Sequence, residues 1–424
     1  MASLSPWQRH RGWLVVLGAF VMQLVGFGAI YSSSAFANEI AGSMGLERSA
    51  TSLVMALSLG SSFFVSAISG ALSDRIGPRP LAIIGVLLMA LGLAIASAAQ
   101  TAATLFASYG LLVGIGLGLA NVPAIAAVQR WFMAKRGLAS GLAATGMGVG
   151  TALIPVLQEL LSAFSDWRAI FLCCAVLVAL VGLAGAMVLE ALPEKHGMGP
   201  DGTRLSTVQA TRPAIGPTFG EALKSRAFKY AFLGTLLVSI PTSAPLMLLV
   251  GAAEAQGLTH HQAVGLLGLI GAGSLAWRFI LTAVADRVGR RMTFLITCFA
   301  MGLVMFIWML ARDNWTLCAF ALIFGALQGG VVALLPAFTA DSFGSRAIGG
   351  LVGALYASRG IALLAGLPMV SAGIVFFGTH ELPVALCGLA GMLGALLLAL
   401  ARPDRAAERL VAAPAAHPSV LSAT

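Results

Sequence analysis

The stretch TAVADRVGRRM, residues 282–292, decides the fold of this sequence because it occurs twice. Its twin, GALSDRIGPRP, occupies residues 70–80, at an offset of 212 residues that is half the length of the 424-residue chain. Both copies carry an Asp-Arg-x-Gly core, formed by Asp74, Arg75 and Gly77 in the first and by Asp286, Arg287 and Gly289 in the second. The glycine supplies a tight turn, and the Asp can hydrogen-bond or cap the next helix. Two such turns in matched register predict two equivalent halves.

The composition of the chain excludes a water-soluble globular protein. Hydrophobic residues make up 59% of the sequence, charged residues make up 10%, and the mean hydropathy is +0.94. Such a chain is expected to lie in a lipid bilayer. The five cysteines all fall in apolar runs without the spacing of metal ligands. We therefore expect them to be small core residues, and we expect no metal and no cofactor.

Long apolar runs predict how the chain crosses the bilayer. An apolar helix of about 20 residues spans a hydrocarbon core of about 30 Å. This rule predicts an all-α membrane protein with twelve transmembrane helices, near residues 13–37, 49–73, 80–99, 103–130, 137–164, 168–190, 228–254, 261–285, 292–311, 316–341, 347–377 and 382–401. A polar loop divides them into six and six. The predicted parts are an N-terminal half at 1–190, a cytoplasmic linker at 191–226, a C-terminal half at 227–401 and a disordered tail at 402–424.

The distribution of charge predicts the orientation. Of the 25 Lys and Arg residues, 20 fall on one predicted side of the membrane, three (Arg48, Arg168 and Arg312) fall on the other, and two lie within the spans. Positively charged loops mark the cytoplasmic face. The net charge of +9 therefore does not indicate nucleic acid as a partner. We predict a multi-pass monomer of the cell (cytoplasmic, or inner) membrane with both termini in the cytoplasm.

Two arginines lie deep within apolar spans. Arg278 comes eight residues before Asp286, and Arg359 comes thirteen after Arg346, which places them about 12 and 20 Å from the cytoplasmic turns. A charge at the middle of a membrane helix costs about 2.5–3.5 kcal/mol, so such residues are expected to face an aqueous cavity and to be functional. The competing interpretation for each is a structural arginine that pairs with backbone carbonyls or snorkels to the interface. None of the 16 acidic residues lies at mid-depth. At about 8 Å separation the guanidinium groups repel each other by about 2 kcal/mol, and an anion between them reverses the sign.

Other polar side chains in the spans are candidate contacts for such an anion. Two of them lie one helical turn before an arginine, on the same helix face. The candidates are Tyr31, Asn121, Ser274, Gln328 and Tyr356. For Asn121, Gln328 and a further amide, Gln23, a helix–helix hydrogen bond is the competing interpretation. For Tyr356 it is an ordinary contact between helices.

A second group of residues is predicted to control opening and closing of the protein. It comprises the six residues of the Asp-Arg-x-Gly cores, Arg79 and Arg290 beside them, and Pro241 and Pro245. The two prolines lie in the seventh span, in VSIPTSAP, where each removes a backbone donor and should bend the helix. The bend suggests a gate, and a static kink is the alternative.

The repeated turn and the six-plus-six arrangement resemble the major facilitator superfamily over essentially the whole chain. Residues 114–150 resemble its monocarboxylate transporter and oxalate:formate antiporter branch, in which a glycine-rich fourth helix ends in Trp-Phe and is followed by Arg-Gly-Leu-Ala. Asp-Trp-Arg at 166–168 and MGPDG at 198–202 are similar to that branch too. The resemblance implies alternating access, with helices 1, 4, 7 and 10 lining a central cavity and the cargo near the midplane.

The same resemblance implies roles for the arginines. Arg278 matches an arginine of the eighth helix that binds the cargo carboxylate, and Arg359 matches a basic position that is lysine in the oxalate:formate exchanger. A second cation implies a cargo with two carboxylates, such as oxalate. Ser274 stands where mammalian-type proton-coupled members carry an aspartate. Asn121 lies in a segment where the exchanger branch favours a tyrosine.

Three functions remain open from the sequence. The first is exchange of small carboxylates, because closing an empty cavity around two cations is unfavourable. The second is proton-coupled symport of a monocarboxylate such as lactate or pyruvate, in which Glu254 or the cargo carries the proton. The third is drug efflux. The two unpaired arginines argue against cationic drugs as the cargo. No nucleotide-binding or hydrolytic motif is present, so an enzyme is excluded, and the expected partners are a carboxylate, the bilayer and, for symport, protons.

Overall fold

The structure is a computed structural model that describes residues 6–45, 48–203, 216–311, 313–379 and 381–401. Within these ranges the chain consists of helices, turns and short loops and contains no strand. The disordered tail predicted at 402–424 and the middle of the predicted linker, 204–215, lie outside the described residues.

Long helices account for most of the described chain, and twelve of them correspond to the predicted spans. We number them α1–α12: Pro6–Ala35, Arg48–Ile76, Pro78–Ser97, Ala102–Trp131, Arg136–Ser162, Trp167–Met187, Arg226–Ala255, His260–Val288, Arg290–Leu310, Asn314–Phe343, Ile348–Ile374 and Glu381–Leu400. Eleven are each long and apolar enough to cross a membrane, and α7 is the twelfth when its two segments are taken as one span. The predicted all-α membrane fold is confirmed.

Helix α7 is bent, as its prolines predict. Its segments Arg226–Leu246 and Leu248–Ala255 meet at 48°, directly after Pro245, because proline removes a backbone hydrogen bond and crowds the preceding turn. Pro241 packs against α12, where a methyl group added to Gly391 would lie 2.8 Å from its Cγ. A gating role for the two prolines stays a prediction.

The repeated turns join α2 to α3 and α8 to α9. Gly77 has a φ angle of 88° and Gly289 one of 120°, a region that residues with a side chain rarely adopt. Neither of the helices that follow receives a side-chain cap, so of the two roles predicted for the Asp of each turn, capping the next helix is excluded and hydrogen bonding elsewhere remains. Helix α3 begins with Pro78, which has no N–H to offer. We call the face that carries these turns the turn side and the opposite face the far side.

Buried apolar residues form a separate core in each half. One core runs from Val15 to Met198, and the other runs from Ala222 to Ala401. A smaller cluster that contains Tyr356 joins α2 and α4 to α10 and α11. This arrangement favours the predicted division into two six-helix halves, although its residue boundaries stay a prediction.

The first part of the linker is bound to the N-terminal half. Asp201 accepts hydrogen bonds of 2.9 and 2.8 Å from two successive backbone N–H groups in the loop between α4 and α5. The ring of His196 accepts a hydrogen bond from Arg11 at 2.6 Å through Nδ1 and donates one to Glu190 at 2.7 Å through Nε2. These contacts fasten the linker to the turn-side ends of α1, α4 and α6.

The last part of the linker is bound to the C-terminal half. The short helix Phe219–Lys224 begins with a capping box, in which Thr218 N–H donates to Glu221 at 2.8 Å. This hydrogen bond lowers the pKa of Glu221 below its usual value. The ring of Phe219 lies against Gly350 at the start of α11, where an added methyl group would come within 2.7 Å of it.

Candidate functional site

Two equivalent contacts between the halves close the turn side. Asp74, at the end of α2, accepts hydrogen bonds from the N–H groups of Gly349 (3.0 Å) and Gly350 (2.9 Å) in the first turn of α11. Asp286, at the end of α8, does the same in the first turn of α5, at 2.9 and 2.8 Å. The free N–H groups and the positive end of a helix favour a carboxylate at this position. Each repeated turn therefore caps a helix of the opposite half.

Arginines and one carboxylate extend this closure. Arg136 of α5 pairs with Asp341 of α10, in the other half. Arg290 binds the same carboxylate through Nε at 2.5 Å and Nη2 at 3.1 Å, a bidentate geometry that suits a planar guanidinium. Arg130 pairs with Asp74 within the N-terminal half. Charges from both halves thus meet around Asp341.

The predicted gating arginines divide into two groups. Arg290 takes part in the closure, whereas Arg79 donates to the backbone oxygen of Leu189 at 3.1 Å, within its own half. Arg75 and Arg287 are exposed. The described contacts of Arg79 therefore do not join the halves.

Three members of the closure were missed by sequence reasoning. They are Arg130, Arg136 and Asp341, each within one turn of the turn-side end of α4, α5 or α10. The sequence did offer one signal: each of them lies close to a helix end that is on the same side of the membrane as the repeated turns.

Glycines allow α2 to approach α11 and α5 to approach α8 closely enough for these contacts. A methyl group added to Gly349 would lie 2.4 Å from the backbone oxygen of Gly70 and 2.7 Å from Oδ1 of Asp74. One added to Gly137 would lie 2.6 Å from Oδ1 of Asp286. Side chains cannot be accommodated at these distances without moving the partner helix.

We expect Gly349→Ala to weaken the closed turn side. Overpacking of this kind costs about 1–3 kcal/mol, so the thermal unfolding midpoint of the purified protein should fall. Gly268→Ala is the matched control, because an added methyl group there has no atom within 4 Å. Alanine favours helix over glycine, so the control midpoint should stay unchanged or rise. Equal midpoints for the two variants would contradict the close-packing role of Gly349.

Arg278 lies buried near the middle of α8, with 2% of its surface exposed. Its Nη1 donates a hydrogen bond to the backbone oxygen of Ala144 on α5, so the guanidinium joins the two halves. Its aliphatic stem passes Gly329 of α10, where an added methyl group would lie 3.0 Å from Cγ. Among the described residues, its Nε has no hydrogen-bond partner and the group forms no ion pair. The N–H group at Nε of Arg278 is therefore buried and not used by any described residue.

Arg359 lies on α11 beside Tyr356. The guanidinium carbon is 5.8 Å from the centre of the tyrosine ring, within the range of a cation–π interaction. The charges of Arg278 and Arg359 are close enough to repel each other, and Tyr356 lies near both. Nη1 of Arg359 is buried and has no hydrogen-bond partner in the described part of the chain. The structure thus brings together the two arginines and the tyrosine that the sequence singled out.

The other residues predicted to contact the cargo differ in how deeply they are buried. Ser274 lies one turn before Arg278, and its buried Oγ has no partner among the described residues; the same holds for Oδ1 of Asn121 on α4. Tyr31 on α1 and Gln328 on α10 are half-buried. A cargo role for these four residues stays a prediction.

A small cavity lies between the halves, on the turn side of the arginines. Its polar lining consists of Gln23, Gln129, Ser140 and Tyr356, and Ala144 also borders it. It has room for little more than one water molecule. Neither Tyr31 nor Gln328 is among the described residues that line it. Where the chain is described, no cluster of His, Cys, Asp and Glu could hold a metal ion.

Comparison with known proteins supplies a family and a fold. The model of the Major Facilitator Superfamily matches residues 15–312 and 231–423. The MFS transporter asaE of Aspergillus flavus is 29% identical over 364 residues, which cover 85% of this chain and 79% of that protein. Monocarboxylate transporter 12-B of Danio rerio is 26% identical over 412 residues, which cover 91% and 86%. The solved proton:xylose symporter XylE shares the fold, with a TM-score of 0.70 at 16% identity over 94% of this chain and 99% of that one.

Proposed function

The chain belongs to the major facilitator superfamily, and from this premise we propose that it exchanges small carboxylate anions across the membrane by alternating access. It is a membrane transporter and not an enzyme. In this proposal Arg278 and Arg359 bind the carboxylate groups, and Tyr356 orients Arg359. A cargo with two carboxylates, oxalate in the simplest case, uses both arginines. The turn side faces the cytoplasm of a cell membrane, and one chain is the working unit.

One observation carries the proposal: the buried Arg278 and the half-buried Arg359, whose Nη1 is buried, interact with each other and have no carboxylate partner among the described residues. Buried charge is costly unless it is paired. A planar guanidinium with a free edge binds a carboxylate through two parallel hydrogen bonds. A carboxylate cargo therefore supplies the charge and the hydrogen-bond acceptors that the described site lacks.

Exchange follows from the same charges. When the protein returns without cargo, both guanidinium groups must be enclosed together. If the two guanidinium groups are then about 8 Å apart, their repulsion is about 2 kcal/mol, a barrier that would slow the return about 30-fold. A carboxylate bound on the other side of the membrane removes this barrier, so transport in one direction is coupled to transport in the other.

The proposal predicts counterflow in proteoliposomes. Uptake of labelled oxalate should be about 30-fold faster when the liposomes contain unlabelled oxalate than when they contain an inert anion, because the loaded protein returns without enclosing bare charge. Liposomes without protein control for leakage. Uptake that is indifferent to the internal carboxylate and follows an imposed proton gradient would contradict exchange.

That contrary outcome would favour a second candidate, proton-coupled symport of a monocarboxylate. Its support is the similarity to proteins that are called monocarboxylate transporters. Glu254, exposed near the far-side end of α7, is then the candidate proton carrier. In that case Glu254→Gln should abolish uptake driven by a proton gradient, whereas under exchange it should leave counterflow intact.

A further inference from the structure

The cavity on the turn side of the arginines has two chemically different walls. One wall adjoins the arginines: Ala144 accepts the hydrogen bond from Arg278, and the ring of Tyr356 lies beside Arg359. The other wall carries the side-chain amides of Gln23 and Gln129, from α1 and α4. Both amides are buried, with exposures of 1% and 0%. An anion held by the arginines therefore has an amide-lined space next to it.

The hydrogen-bond network fixes which end of the Gln129 amide is available. Ser140 Oγ gives its hydrogen to the backbone oxygen of Arg136, at 2.7 Å. A hydroxyl has a single hydrogen, so Ser140 can only accept from Gln129, whose Nε2 lies 2.8 Å away. The amide oxygen of Gln129 therefore points away from Ser140. It has no hydrogen-bond partner among the described residues.

Gln23 lines the same cavity and has a second amide oxygen, Oε1, that is buried and has no partner in the described ranges of the chain. A buried polar atom without a partner costs free energy that a ligand can recover by bonding to it. Both glutamines line one cavity and each has an amide oxygen without a partner among the described residues. A ligand hydroxyl can donate its single hydrogen to one of these two oxygens.

We propose that Gln23 and Gln129 form a subsite for a hydroxyl group on the cargo, so that the protein selects hydroxylated small carboxylates over their unsubstituted counterparts. This inference rests on the proposed function, because it takes the carboxylate end to be held by the arginines. Guanidinium groups only donate hydrogen bonds, and these amide oxygens only accept them. A hydroxycarboxylate offers hydrogen-bond acceptors to the arginines and a hydrogen-bond donor to the amide wall. Oxalate carries only acceptors and leaves the amide wall without a partner.

The test compares acids that differ by one hydroxyl group. Uptake of labelled glycolate is measured against acetate, and malate against succinate, in proteoliposomes that contain the full chain. Wild-type protein should prefer the hydroxylated acid of each pair by about tenfold, the effect of one net hydrogen bond. Gln23→Met keeps the length of the side chain but removes its hydrogen-bonding atoms. It should lower both ratios, and Gln23→Met combined with Gln129→Met should bring them close to one, because either amide oxygen can accept the hydrogen of the cargo hydroxyl.

Gln158→Met is the matched control. Gln158 is also buried with an Oε1 that has no partner among the described residues, but its Nε2 bonds to Ser32 and Cys174 and it does not line the cavity. It should keep the wild-type preference. Each ratio is measured within one preparation, so a lower yield of folded protein does not change it.

Two outcomes would overturn the inference. In the first, wild-type protein does not distinguish the acids of a pair. In the second, Gln23→Met combined with Gln129→Met leaves the preference intact, whether or not uptake of both acids falls. Arg278→Lys separates failure of this inference from failure of the proposed function. If the wild type shows no hydroxyl preference but Arg278→Lys abolishes uptake of all four acids, only the subsite is wrong. If it leaves all four unchanged, the carboxylate site itself is wrong.

Discussion

Replacing Arg278 by lysine is expected to lower carboxylate uptake into proteoliposomes by about 100-fold. Lysine keeps the positive charge but offers no planar fork. The guanidinium of Arg278 donates to Ala144 through Nη1, and its Nε, which has no partner among the described residues, is the group that binds the cargo in the proposed site. One ammonium group at the end of a flexible stem cannot hold both partners in that geometry. Loss of a charge-assisted hydrogen bond of about 1.5–3 kcal/mol corresponds to about 10–150-fold in rate.

The experiment compares initial rates of counterflow at equal amounts of reconstituted protein. Arg226→Lys is the control, because Arg226 is exposed at the start of α7 and outside the site. It should transport at the wild-type rate. A rate for Arg278→Lys within about threefold of wild type, which is less than 1 kcal/mol, would remove Arg278 from the cargo site.

The second large effect is expected when both aspartates of the repeated turns are replaced, in Asp74→Asn with Asp286→Asn. Asparagine keeps one acceptor oxygen but loses the charge that favours the N-terminal ends of α5 and α11. Each carboxylate accepts two backbone hydrogen bonds across the halves. Together the changes should shift the balance between closed and open turn side about 100-fold toward open, equivalent to about 2.7 kcal/mol. Transport should slow, because the closed state is rarely reached.

A thiol reporter measures this shift. Ala143, which is buried and lines the cavity, is replaced by cysteine in a chain without its five native cysteines. A membrane-impermeant reagent is applied to the turn side. Labelling should be faster in the double variant than in its parent by one to two orders of magnitude, as the population shift requires.

The control for the second experiment is Asp166→Asn. Asp166 also caps a helix N-terminus, accepting from the N–H of Ala169 at 3.0 Å, but it does so within its own half on the far side. It should not change the labelling rate. If the double variant labels no faster than this control, the two aspartates do not hold the turn side closed.

The fold could be predicted from the sequence because the bilayer imposes simple rules. The thickness of the hydrocarbon core sets the length of each apolar run, and the repeated turn at Asp74 and Asp286 reveals the two halves. Both the twelve-helix fold and the family resemblance are confirmed. The partners of those aspartates were not predictable. They lie about 150 and 275 residues away along the chain, and no local rule links a turn to the start of a helix in the other half.

The candidate site was predictable only where the sequence breaks a rule. Arg278 and Arg359 stand out because charge in an apolar run is costly. Gln129 does not stand out, because an amide near the end of a membrane helix is ordinary. Its significance comes from the hydroxyl of Ser140, which fixes the direction of its amide. Asp341 escaped notice for a similar reason, since the pairing with Arg136 exists only once α5 and α10 are packed together.

The two fastened ends of the linker have a consequence for how the halves are held together. Contacts of Asp201 and His196 bind its beginning to one half, and Phe219 binds its end to the other. Seventeen residues, 202–218, separate Asp201 from Phe219 along the chain, and an extended chain of that length reaches about 60 Å. A covalent connection raises the effective concentration of each half for the other. The two halves thus resemble the subunits of a heterodimer encoded in one chain, and among the described residues they meet through helix interfaces and through the contacts of Asp74, Asp286 and Asp341.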